Sequence, residues 1–193
     1  MEGNILDNDI NKIKELIKLN MKRGTLAYGL ISPTTYMKRI ISPNNEDFEF
    51  LNKFIGEKYL LIHLRSPTGN SQNILNATQP LIGENFIVLH NGILLEWDKN
   101  KYLTDTYYLL DKIEKNGIEF GLKKLKGSFT LAIIYNEELY LFRCINSLYI
   151  DNEFFSSEKF EGGKEVNHGT LINFNNKESK ILDVYIPYEI VNE

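Results

Sequence analysis

Two charged side chains and one small polar pair carry most of the chemical capacity of this chain. Arg65 closes an apolar run in the segment His63-Leu64-Arg65-Ser66-Pro67-Thr68-Gly69. Its guanidinium is a planar fork that can hold a carboxylate with two parallel hydrogen bonds, or serve as an ordinary surface ion pair. Asp105, in Thr104-Asp105-Thr106, opens a predicted helix. There a carboxylate can meet an ammonium group or simply complement the helix dipole. Asn91-Gly92, after His90, offers a side-chain amide and a glycine N–H. Donors of that kind stabilise an oxyanion when they are aimed in advance, but the same pair after an apolar run also reads as a hairpin turn. His63 and His90 read as core or loop histidines and are assigned no chemistry. Cys144, the single cysteine, lies mid-strand and reads as a buried inert thiol.

These segments fall in one order with three others: Arg23-Gly24 near the start, Asn76-Ala77-Thr78-Gln79-Pro80, and Gly127-Ser128-Phe129. The ordered set resembles the glutaminase domain of class II glutamine amidotransferases, a branch of the N-terminal-nucleophile hydrolases. Ser156-Ser157-Glu158 and His168-Gly169-Thr170-Leu171 extend the resemblance over nearly the whole chain. It implies glutamine as ligand. Arg65 would bind the substrate carboxylate and Asp105 its ammonium. The Asn91 side chain and the Gly92 N–H would form the oxyanion hole. Thr68 would supply a hydroxyl near the substrate head, and Arg23 would stand near the nucleophile. Leu26 departs from the family, which usually has an acidic residue there.

The family attacks with a cysteine directly after the initiator methionine, and the α-amine of that residue, with a pKa of about 8, is the base. This chain reads Met1-Glu2-Gly3, so Glu2 occupies the nucleophile position. A carboxylate is a weak nucleophile toward an amide and brings negative charge near a developing oxyanion. Met1 is expected to stay before so large a residue, which blocks the base as well. The chain as written is therefore expected to be inactive. It either lacks the cysteine by nature or is an altered form of a chain that has one. With cysteine in place of Glu2, it would hydrolyse glutamine to glutamate and ammonia for a separate synthase partner. The alternative is a non-catalytic glutamine-sensing or protein-interaction module. A third, weaker reading is an amide hydrolase of the same superfamily with another substrate.

The elements that must position these groups follow from periodicity. Asn8 and Asp9 can cap a helix with Ile10, Ile13, Leu16 and Ile17 on one face, stopping near Arg23-Gly24. Residues 27–31, 59–64 and 86–89 read as strands. Asn44 to Glu46 can cap a second helix. Residues 66–80 read as a loop. Thr104 can cap a helix to about residue 115, ended by Asn116-Gly117, with a shorter helix after it. Residues 129–135 and 139–145 predict a hairpin turning at Asn136-Glu137-Glu138, its first strand apolar on both faces. Residues 150–155 and 171–174 read as strands, and 181–190 as an apolar segment of open type.

The reading is α+β in one domain over residues 1–193. The family resemblance refines this to a four-layer αββα sandwich of Ntn-hydrolase type, with two stacked, mostly antiparallel sheets between helices. At 193 residues, 42% hydrophobic and 25% charged, the chain can bury a sizeable core. A net charge of -4 without a concentrated basic face argues against nucleic acid and anionic membrane surfaces. No secretory signal or membrane-length apolar run is seen, so a cytoplasmic protein is expected. The three histidines and one cysteine lack metal-ligand spacing, and no metal or other cofactor is expected. Oligomeric state is not readable.

Overall fold

The computed structural model describes the backbone of residues 2–4 and all of residues 9–22, 25–66 and 73–184. Arg23, Thr68 and the end of the last apolar segment lie outside the described residues. In chain order the elements begin with β1 (Glu2–Asn4), α1 (Ile10–Met21), β2 (Ala27–Ile31), β3 (Tyr36–Arg39), α2 (Asn45–Phe50), β4 (Leu60–Arg65) and α3 (Ile74–Ala77). They continue with β5 (Leu81–Ile82), β6 (Phe86–Leu94), α4 (Asp105–Asn116), α5 (Ile118–Lys123), β7 (Gly127–Tyr135) and β8 (Glu138–Cys144). The last strands are β9 (Tyr149–Ile150), β10 (Phe154–Ser156), β11 (Lys164–Glu165), β12 (Thr170–Asn173) and β13 (Ser179–Ile181). The α+β reading holds. Among the described residues two sheets are present, and every paired strand in them is antiparallel.

The chain groups into two compact units, each with its own sheet. Met1–Pro80 and Leu148–Glu165 form the first. Its sheet runs β11-β9-β10-β1-β4-β2-β3, so the amino-terminal strand lies in the interior of the sheet rather than at an edge. Helix α1 packs there because its apolar residues recur every three or four positions. Ile10, Ile13, Leu16 and Ile17 join Leu30, Leu60, Ile62 and Phe154 in one core. Asp9 caps the helix by accepting from the Asn11 and Lys12 N–H groups. Asn44 and Asp47 form a reciprocal capping box on α2, which runs on into a 3-10 turn at Leu51–Phe54. Several elements were not anticipated, among them the strands β1, β3, β5, β11 and β13 and the helix α3. Strand β3 is an edge with no fully buried residue, and α3 is a four-residue turn of helix inside the expected loop. The strand expected over 150–155 is split into β9 and β10.

Leu81–Ser147 and Val166–Glu193 form the second unit. Its sheet runs β13-β12-β8-β7-β6-β5. Phe129, Leu131 and Ile133 of β7 join Leu109, Leu110 and Ile113 of α4 in its core. Ala132 and Ile134, on the other face of β7, are buried as well, which is the two-faced pattern expected of this strand. The β7–β8 hairpin turns at Asn136 and Glu137, both at positive φ (50° and 62°), the geometry that matches strand twist in a two-residue loop. No described helix is long and apolar enough to cross a membrane.

Candidate functional site

Asn91 and Gly92 do not form a hairpin turn. Strand β6 runs through them to Leu94, with Asn91 opposite Thr130 and Gly92 opposite Phe129 on β7. Gly92 sits at φ 133°, and a Cβ there would lie 2.1 Å from the Ser128 carbonyl oxygen. The position admits only glycine, because the two backbones approach too closely for a side chain. The Asn91 carbonyl accepts a hydrogen bond from Asn146 Nδ2 at 3.1 Å. Asn146 follows Ile145, a β-branched residue held at φ 69°. Arg143 organises this corner. Its guanidinium donates to the Ile145 carbonyl (3.3 and 3.1 Å), to the Asn146 carbonyl (3.0 Å) and to the Val166 carbonyl. The Ile145 N–H donates to His168 Nδ1 at 3.1 Å.

The far end of β6 is tied to helix α4. Asp105 is the first residue of that helix, and its Oδ2 accepts from the Leu94 N–H at 3.1 Å. Thr104 stands at the cap position, but its hydroxyl makes no capping bond. The carboxylate complements the helix start and also secures the strand that carries Asn91 and Gly92. Its side chain remains 19% exposed. His90 Nδ1 lies 3.1 Å from Thr106 Oγ1 and 3.8 Å from Asp105 Oδ1. Burial pulls the imidazole below its ordinary pKa of 6.5, and the Asp105 charge only partly opposes this. A neutral ring is favoured. Residues 90 and 94 are both anchored to the first turn of α4, and Asn91 and Gly92 lie between them.

The remaining predicted residues belong to the first unit. Arg65 ends β4 opposite Ala27, and its Nη1 donates to the Ala77 carbonyl at 3.0 Å. That bond places the guanidinium beside the end of α3. The Glu2 backbone pairs with Ile62 on one side and Ser156 on the other. Ser156 is part of a buried polar cluster. Its Oγ accepts from Asn20 Nδ2 (2.9 Å) and from the Glu158 N–H (3.0 Å), while Ser157 Oγ donates to Asn20 Oδ1 (3.0 Å). Asn20 escaped the sequence reading, although a polar residue on the inward stripe of α1 was the available signal. Asn146 also escaped it, and nothing local marks that residue. Cys144 is buried as expected, and desolvation raises its pKa to about 11. A cavity of about 830 Å³ in the second unit, walled by Phe86, Phe120, Tyr135 and Tyr140, includes none of the predicted site residues.

No protein-family profile matches the chain, and no curated protein sequence does. Solved structures do. Glutamine phosphoribosylpyrophosphate amidotransferase from B. subtilis, solved with ADP and GMP, superposes with a TM-score of 0.70 at 20% identity over 96% of this chain. The chain has the fold of a glutamine amidotransferase. A structure described as the allosteric regulatory enzyme of purine biosynthesis gives a TM-score of 0.71 at 21% identity over the same share. The chain spans about half the length of each, 49% in both cases. The likeness to class II amidotransferases first seen in six short segments therefore extends to the backbone of nearly the whole chain. At this identity it is a likeness of fold.

Proposed function

We propose that this chain is a glutamine-binding domain of the class II amidotransferase type, a single four-layer αββα domain over residues 1–193 that lacks its attacking thiol. Arg65 receives the glutamine carboxylate and Asp105 the ammonium. The Asn91 side-chain amide and the Gly92 N–H serve the amide oxygen. Arg23 and Thr68 complete the set. The observation that carries this reading is the end of β6: a glycine-only backbone preceded by Asn91 and anchored by Asp105, in a chain with an amidotransferase fold. Glu2 in place of cysteine leaves the chain able to bind but not to hydrolyse. The chemistry needs no metal or other cofactor, because nucleophile, base and oxyanion donors would all be protein groups. Restored to cysteine, the domain would pass ammonia to a separate cytoplasmic synthase.

The second reading, a non-catalytic glutamine sensor or interaction module on the same fold, is favoured by Glu2 itself. Calorimetric titration with glutamine and an activity assay decide between them and against both. Glutamine is expected to bind the chain, and Arg65→Ala is expected to abolish binding. A Glu2→Cys chain with Met1 removed is expected to release glutamate and ammonia. Binding without hydrolysis in that variant favours the sensor. The absence of both binding and hydrolysis overturns the proposal.

A further inference from the structure

Thr130 is a polar residue on an otherwise apolar stretch of β7. Ala132 and Ile134, on the same face of that strand, are buried, as a packed face requires. Thr130 is fully buried beside them, and its hydroxyl has no hydrogen-bond partner among the described residues. A buried hydroxyl left unpaired is destabilising, and valine would fill nearly the same space without one. Such a group in a native fold needs an explanation, and an acceptor that it meets only when a site is occupied would supply one.

The ladder narrows the choice of acceptor. Residues directly opposite one another in an antiparallel pair project to the same face, with Cβ atoms about 4.5–5.5 Å apart. Thr130 stands opposite Asn91 on β6 and opposite Arg143 on β8, so the three form one row across the sheet. Arg143 has donors only, and its guanidinium is turned to the Ile145, Asn146 and Val166 carbonyls. The neighbouring rows lie about 7 Å away along the strands; Leu89, Ala132 and Leu141 on one side are apolar, and Ser128 on the other is too short to bridge that gap. Asn91 is left. Among the described residues it is bonded only through its backbone, and its side-chain carbonyl is an acceptor. Pairing with β7 fixes the backbone of Asn91 but not the rotation of its side-chain amide, a broad two-fold torsion. To serve an oxyanion, that amide must turn its NH2 end to the substrate oxygen, and a donor must then hold its carbonyl end. The Thr130 hydroxyl is the donor in reach of it.

We propose that Thr130 is a positioning residue whose hydroxyl donates to the Asn91 side-chain carbonyl when glutamine is bound, turning the Asn91 NH2 toward the oxygen of the substrate amide. This deepens, and rests on, the reading of the domain as a glutamine-amide site. Thr130→Val removes the hydroxyl and keeps the shape, whereas Thr130→Ser keeps the hydroxyl. In the Glu2→Cys chain with Met1 removed, Thr130→Val is expected to lower kcat about tenfold with little change in KM, because oxyanion donors act on the transition state. Thr130→Ser is expected to recover part of the loss. The hydroxyl is unpaired in the resting chain, so Thr130→Val is expected to leave the urea midpoint unchanged or to raise it. A hydroxyl with a merely structural role would lower that midpoint when removed. An unchanged kcat overturns the proposal, as does a lowered kcat that comes with a lowered urea midpoint or that serine does not relieve. If the cysteine-bearing chain hydrolyses no glutamine, the glutamine-amide reading itself falls, and this proposal with it. An active cysteine chain that is indifferent to Thr130→Val sinks the positioning role alone.

Discussion

At the residue scale, Gly92 shows how one pair of letters can carry two meanings. Asn-Gly after an apolar run is a strong local signal for a two-residue turn. The structure instead threads it through a ladder, because β7 supplies a partner for every residue of β6 from Phe86 to Leu94. Propensity reports what a segment does alone, and a long partner strand overrides it. Gly92→Ala should then cost about 2 kcal/mol or more in urea unfolding, since its Cβ would sit 2.1 Å from the Ser128 oxygen at φ 133°. Gly117 is the control. Its backbone (φ 74°, ψ 170°) is also one that only glycine adopts readily, but a Cβ there meets nothing within 4 Å, so Gly117→Ala carries the backbone strain, about 1–3 kcal/mol, without the clash and should cost less than Gly92→Ala. Equal losses at the two sites would show that the close approach to β7 is not limiting. Asn146 was beyond any sequence reading, because its bond to the Asn91 carbonyl depends on a backbone corner held by Arg143, not on its neighbours in sequence.

At the element scale, legibility tracked burial. Strands with apolar residues on both faces, such as β2, β4 and β7, were readable from runs of Leu, Ile and Ala. Helix α1 was readable from its spacing and its Asp9 cap. Strand β3 was not, because Tyr36-Met37-Lys38-Arg39 has neither alternation nor a buried residue. It is an edge that exists because β2 offers it hydrogen bonds. The short helix α2 owes its place to Asp47. That carboxylate accepts the Asn44 N–H in the capping box, a bond from Tyr28 Oη at 2.5 Å and one from Arg39 Nη1 at 2.7 Å. Burial and this carboxylate push the Tyr28 phenol well above its ordinary range. Asp47→Ala would break the cap and strand a buried hydroxyl, an expected loss of about 2–4 kcal/mol. Chemical denaturation measures it, and a loss under about 1 kcal/mol would mean the network contributes little.

At the scale of the whole molecule, the two histidines His90 and His168 give the fold a pH dependence. Burial lowers both below 6.5, and the Arg143 charge lowers His168 further. In the unfolded chain both take up a proton as pH falls through 6.5, while the folded chain resists until lower pH. The unfolded state then binds more protons, so stability is complete above about pH 6.5 and is lost as the solution is acidified through that value. Melting temperature should fall between pH 7.5 and 5.5, and His90→Gln should flatten part of that fall. An unchanged slope would mean that His90 titrates alike in both states. The two-sheet architecture was legible only as a class. Which strands share a sheet is set by pairings distant in sequence, as when β1 joins β4 and β10.

That pairing also constrains how the polypeptide matures on the ribosome. Glu2 is made before both of its ladder neighbours, and Ser156 is made long after Ile62. Until then β1 has only the 60–62 segment to pair with, and the sheet stays open along a raw edge during synthesis. Strand β1 is thus closed on both sides only once residue 156 has been made.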